Sequence, residues 1–84
     1  MRVQAEISIY PLRTQSLSEP IEKFCGILSA YDLIIKTAAM STFISGDSKD
    51  LFKACDDAFE QLAQNYQIAM NMKISNACPL DESE

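Results

Sequence analysis

The chain has 84 residues, 48% of them apolar, with seven basic and twelve acidic residues for a formal charge of -5. That length supports one hydrophobic core, the apolar share excludes a disordered segment, and the negative balance disfavours nucleic acid and anionic membrane surfaces as partners. Three cysteines without close spacing give neither a disulfide framework nor the paired thiolates of a metallochaperone, and reduced thiols fit a cytoplasmic setting.

Val3, Ala5, Ile7 and Ile9 alternate with Gln4, Glu6, Ser8 and Tyr10, the period of a strand with one apolar face. The same alternation lacks the continuous apolar run of a signal peptide, and no stretch is long enough for a membrane-spanning helix. Pro11 is expected to end this strand, and residues 13–16 to form a polar connection. Ser18 is the expected N-cap of a helix that takes Pro20 in its first turn. Ile21, Phe24, Cys25, Leu28 and Tyr31 mark its buried face, and Asp32 its end. Gly26 inside this helix costs roughly 1 kcal/mol against Ala, for which close packing on a strand would compensate.

The β-branched run in residues 33–40 favours a second strand and residues 43–45 a third. The two form a hairpin with its turn at residues 39–41, which lacks Gly or Asn and so admits a longer or bulged connection. Gly46, Asp47 and Ser48 are expected to break the strand and cap a second helix. That helix carries Leu51, Phe52, Cys55, Ala58, Phe59, Leu62 and Tyr66 on its inner side, with Asp56, Asp57 and Glu60 on a solvated face. Ile68, Met70, Met72 and Ile74 alternate through a last strand, which Cys78 and Pro79 close. Cys25 and Cys55 read as buried packing residues. Residues 1–79 are expected to form a single domain, and residues 80–84 an acidic, frayed tail.

This order predicts a ferredoxin-like βαββαβ sandwich, an α/β (α+β) domain with a four-stranded antiparallel-type sheet and two helices on one face. The other face carries Gln4, Glu6, Ser8, Tyr10, Asn71, Lys73 and Ser75, and a core this small favours stacking that face on a second copy.

Several short stretches resemble the YkoF-like thiamine-binding proteins. They are Ser8-Ile9-Tyr10-Pro11, Lys36-Thr37 with Ser41-Thr42 and Gly46, Leu51-Phe52-Lys53-Ala54, Met70-Asn71, and Cys78-Pro79. The resemblance spans nearly the whole chain. It implies a domain that associates through its sheets, as a homodimer or homotetramer, and binds thiamine or its hydroxymethylpyrimidine moiety without catalysis and without a separate cofactor. Some members carry two such repeats in one chain; this sequence has one. By position the resemblance makes Ser8 and Thr42 ligand contacts, with Ser41, Tyr10 and Asn71 as neighbours.

Such a ligand needs hydroxyls to read the pyrimidine edge and apolar walls for its rings. Ser8, Ser41 and Thr42 supply the first; Tyr10, Met40 or Phe43 supply the second, and an aromatic face also suits the thiazolium cation. Glu6 shares the face of Ser8 and is a candidate counter-charge, although pairing with Lys73 across the sheet competes for it. Ser-Thr pairs at turns more often serve the turn itself, and methionines more often fill a core. An acyl-phosphate hydrolase of this fold would need a base and a phosphate clamp, and the chain has no His, no Gly-rich loop and only Arg2 and Arg13. A small regulatory or structural subunit with another ligand is the remaining alternative.

Overall fold

The computed structural model describes residues 1–15, 17–39 and 41–77. The expectations placed on Met40, Cys78, Pro79 and the tail lie outside those residues.

The chain runs β1 (Arg2–Leu12), α1 (Ser18–Leu28), β2 (Ile34–Thr37), β3 (Thr42–Asp47), α2 (Ser48–Ala63) and β4 (Gln67–Ser75). The strands form one antiparallel sheet in the order β2-β3-β1-β4, the predicted ferredoxin-like arrangement. Because side chains alternate along a strand, the registers Ala5↔Ile44, Ala5↔Ile74 and Ile35↔Ile44 place four apolar positions on one face. Val3, Ala5, Ile7 and Ile44 meet Phe24 and Leu28 of α1 and Leu51, Ala58 and Leu62 of α2 in a single core. No helix among the described residues is long and apolar enough to cross a membrane.

Several boundaries depart from the sequence reading, each for a local reason. Pro11 does not end β1, which continues to Leu12. The register of β1 with β3 stops at Ile7↔Thr42, while that with β4 runs on to Leu12↔Gln67. Pro11 therefore lies where β1 is an edge, the position in which a missing N–H costs no ladder bond. The strand ends instead at Arg13, whose φ of 57° turns the chain away.

Ser18 is the first residue of α1, and Leu17 takes the cap position with a helical backbone (φ -94°, ψ -27°) and an aliphatic side chain that has no oxygen to cap with. The helix stops at Leu28, so Tyr31 lies beyond it and Asp32 does not close it. Pro20 is buried where Ile21 was expected to be, and Ile21 is 38% exposed. A Cβ on Gly26 would meet nothing within 4 Å, so no close approach explains this glycine.

Gly46 and Asp47 do not break β3 but belong to it. Gly46 is needed for a close approach: a Cβ there would lie 2.7 Å from Leu33 Cδ2 and 3.2 Å from the Asp32 carbonyl. Asp47 caps α2 as expected, accepting from the Lys49 N–H at 3.0 Å. It also accepts from the Met1 ammonium at 2.9 Å, and both donors hold its carboxyl below the ordinary carboxylate range.

Phe52 and Phe59 do not join the buried stripe of α2; Ala54 does, beside Leu51, Cys55, Ala58 and Leu62. Small residues on this side let α2 lie close to the sheet and to α1. Burial pushes the Cys55 thiol up to about 11, whereas Cys25 is only half-buried. The solvated face expected for Asp57 is also modified. Tyr31 Oη donates to its Oδ2 at 2.9 Å and Gln61 Nε2 to its Oδ1 at 2.9 Å, tying the α1–β2 connection to α2.

Candidate functional site

The site arises from the unequal reach of β1's two neighbours. Past Ile7 the sheet on the β3 side gives way to the hairpin tip, where the Ala38 N–H donates to the Ser41 carbonyl at 2.8 Å. The first turn of α1 crosses above. Between these three elements lies a cleft of about 260 Å³. Ile7, Ile9 and Phe24 give it an apolar floor, and Tyr10, Ser41 and Thr42 line it as well.

Of the six residues singled out in the sequence, the cleft gathers Tyr10, Ser41 and Thr42. Thr42 is directly opposite Ile7 and so points to the helix side, where it is only 6% exposed. Its Oγ1 lies 3.8 Å from the Cys25 Sγ. A hydroxyl carries one proton and two lone pairs, so this weak thiol contact leaves Thr42 with hydrogen-bonding capacity for a ligand.

Ser8, Glu6 and Asn71 lie on the other face of the sheet. Ser8 is opposite Asn71, which brings those two together, but the structure does not bring Ser8 and Thr42 to one surface. Glu6 is opposite Lys73, yet no ion pair joins them among the described residues. Glu6 Oε2 instead accepts from Ser41 Oγ at 3.0 Å. Ser41 therefore spans the two sides, with its hydroxyl bound to the open-face carboxylate while the residue lines the cleft. Phe43, opposite Glu6, also belongs to the open face and does not line the cleft.

Sequence reasoning missed Thr37 and the Leu17–Ile21 side of the cleft. A hairpin turned at residues 39–41 would set residue 38 opposite Thr42; the observed register is one residue off and puts Thr37 there, on the same face. Leu17 was not findable either, because its place depends on where α1 starts. Among the described residues no group of three or more His, Cys, Asp or Glu could hold a metal ion.

Fold and cleft together define a ferredoxin-like sandwich with an apolar, hydroxyl-bearing cleft at the open end of its first strand. The chain belongs to the thiamine-binding protein family, whose sequence profile matches residues 5–78. It is 32% identical over 75 residues to the UPF0045 protein MJ1052 of Methanocaldococcus jannaschii, covering 87% of this chain and 75% of that protein. The crystal structure of MJ1052 superposes with a TM-score of 0.83 at 31% identity, over 89% of this chain and 79% of that one. Protein SP2199 of Streptococcus pneumoniae matches with a TM-score of 0.86 at 18% identity, over 99% of this chain and 97% of that one. A Thermotoga maritima protein provisionally named for thiamine biosynthesis or salvage, TM0486, matches at 0.82 with 15% identity, over 94% of this chain and 87% of that one. At these last two identities the likeness is one of fold.

Proposed function

We propose that this domain binds thiamine or its hydroxymethylpyrimidine moiety, without catalysis, in the cleft beside Thr42. The observation that carries the reading is the convergence of Tyr10, Ser41 and Thr42 on one apolar-floored cleft inside the segment that matches the thiamine-binding family. The naming of the Thermotoga maritima structure for thiamine biosynthesis or salvage points the same way. An aminopyrimidine is flat, with donors and acceptors at its edge. Ile7, Ile9 and Phe24 suit its faces and the Thr42 hydroxyl its edge. Glu6, held by Ser41, supplies negative charge near the mouth for the thiazolium. The chain has no His, and among the described residues no Lys or Arg lines the cleft, which favours binding over acyl or phosphoryl chemistry.

The open face carries Ile34, 55% exposed, and Phe43 beside Glu6, and in this reading a second copy stacks on it. A cytoplasmic carrier or sensor of the vitamin fits the reduced thiols.

Calorimetry with thiamine, hydroxymethylpyrimidine and the thiamine phosphates tests the reading. Heat of binding is expected with at least one of them, and no heat with any would end it. Thr42→Ala is expected to weaken binding by about 1 kcal/mol, roughly fivefold, the ordinary worth of one hydrogen bond. Unchanged affinity in a folded variant removes Thr42 from the site.

A further inference from the structure

We propose that a second cavity, at the end of the β1–β4 pair, binds a small organic oxyanion, a carboxylate or a phosphate monoester, with Arg13 as its cationic anchor. The cavity holds about 380 Å³ and is lined by Leu12, Arg13, Thr14, Asn65, Tyr66 and Gln67. It shares no lining residue with the cleft beside Thr42, so the proposal stands apart from the thiamine reading. Leu12↔Gln67 is the last pair of the β1–β4 ladder. The other four residues belong to the two connections that meet there, the one leaving β1 and the one joining α2 to β4.

Arg13, at φ 57°, has the only positive φ among the described residues. That region is costly for a residue with a Cβ, whereas glycine occupies it without strain. Nothing within the fold accounts for an arginine there. Arg13 is exposed, and its guanidinium has no ion pair or hydrogen bond among the described residues. The end of α2 does not use it as a cap either. The Leu62 carbonyl accepts from the Asn65 and Tyr66 N–H groups at 3.1 and 2.9 Å, and the Gln61 carbonyl from the Gln64 N–H at 3.4 Å. Strain kept in a cavity wall by a side chain that the fold does not employ points to a ligand.

The groups in the wall select the class of ligand. A guanidinium presents a planar fork that fits two oxygens of one carboxylate or phosphate, and it is always charged. Asn65 and Gln67 bring side-chain amides, and neither amide is bonded among the described residues. Each supplies an NH2 donor to complete the shell of an oxyanion and a carbonyl acceptor for a hydroxyl or amino group on the same molecule. Leu12, 47% exposed, and the half-buried Tyr66 give apolar wall to an organic body, in a space of the size that small molecules occupy. Among the described residues no Asp or Glu lines the cavity, so no carboxylate in its wall competes for Arg13, although the chain as a whole carries a charge of -5.

Amide NMR shifts of the isotope-labelled full chain, titrated at low salt with inorganic phosphate, phenyl phosphate and benzoate, test the site. Saturable shifts are expected at residues 12–14 and 65–67 with at least one probe. Phenyl phosphate against benzoate separates a phosphate from a carboxylate ligand, and inorganic phosphate reports the oxyanion without a ring. Arg13→Gln is expected to weaken binding roughly tenfold, the loss of a hydrogen-bonded charge, and Arg13→Lys to recover part of it. Arg13→Gly is expected to weaken binding as much as Arg13→Gln while raising the urea midpoint, because the strain leaves with the side chain. No saturable shift with any probe overturns the proposal, as does equal binding by Arg13→Gln. Shifts confined to Ile9, Thr37 and Thr42 put the anion in the cleft and overturn it too. A lowered midpoint for Arg13→Gly, with the probes still bound, makes Arg13 a residue of the fold and has the same consequence.

Discussion

The two halves of β1 share a strand but not a role. Residues 2–7 all pair with β3, and residues 4–7 with β4 as well, and there Val3, Ala5 and Ile7 are buried in the core. Residues 8–12 keep β4 as strand neighbour but have the cleft where β3 would be, and there Ile9 is only half-buried and Tyr10 exposed. Alternation of apolar and polar residues runs through both halves from Val3 to Tyr10. What differs is the number of neighbouring strands, and withdrawing one opens a ligand-sized space without leaving the sheet. The first half serves the core, and the second, under the proposed function, serves binding.

The sharpest way to break that division is a pair of truncations. Ile44→Ala, opposite Ala5 in the first half, is expected to cost about 2–5 kcal/mol in urea unfolding, since the buried site cannot collapse around the lost atoms. Ile9→Ala, in the floor of the cleft, is expected to cost less than half of that while lowering ligand affinity. Equal losses of stability would remove the distinction. A smaller effect is expected at Gly46, opposite Val3. Gly46→Ala drives a methyl into Leu33 and the Asp32 carbonyl and should destabilise by about 1–3 kcal/mol, with ligand affinity kept once the protein is folded.

Most of the fold was legible because its signals are local: period-two strands, a period-3.6 helix and an Asp cap each show within a short window. Boundaries were lost where a distant element decides them. Pro11 looks like a strand end until the register shows that β1 is by then an edge. Phe52 and Phe59 look like core until Ala54 and Ala58 show that α2 packs through small residues. For the cleft, Tyr10, Ser41 and Thr42 were named, but together with Ser8, Glu6 and Asn71, which the register sets on the other face of the sheet. The face of Thr42 depends on its pairing with Ile7, which only the β1–β3 register sets.

The smallest expected effect tests whether stability and binding separate outside β1 as well. The Asp57 carboxyl is held below the ordinary carboxylate range by the Gln61 and Tyr31 donors, and the same bond pushes the Tyr31 phenol up. Asp57 therefore contributes fully above its unfolded value of about 3.9, and the contribution fades as pH falls through its lower folded value. Tyr31 contributes fully below about pH 10 and its share is lost as pH rises through its higher folded value. Tyr31→Phe removes the shared bond, so the pH dependence of the urea midpoint should flatten slightly on both limbs. The acid limb keeps a slope, because Asp47 and the Gln61 bond to Asp57 persist. Both groups lie at the surface, and solvent screening keeps the change small. Since the bond joins the α1–β2 connection to α2 and neither partner lines the cleft, ligand affinity should not move. A midpoint profile identical to that of the unaltered chain would show that the bond does not act in solution. A shifted affinity would show that the helix layer and the cleft are coupled, and that the division seen along β1 does not extend across the domain.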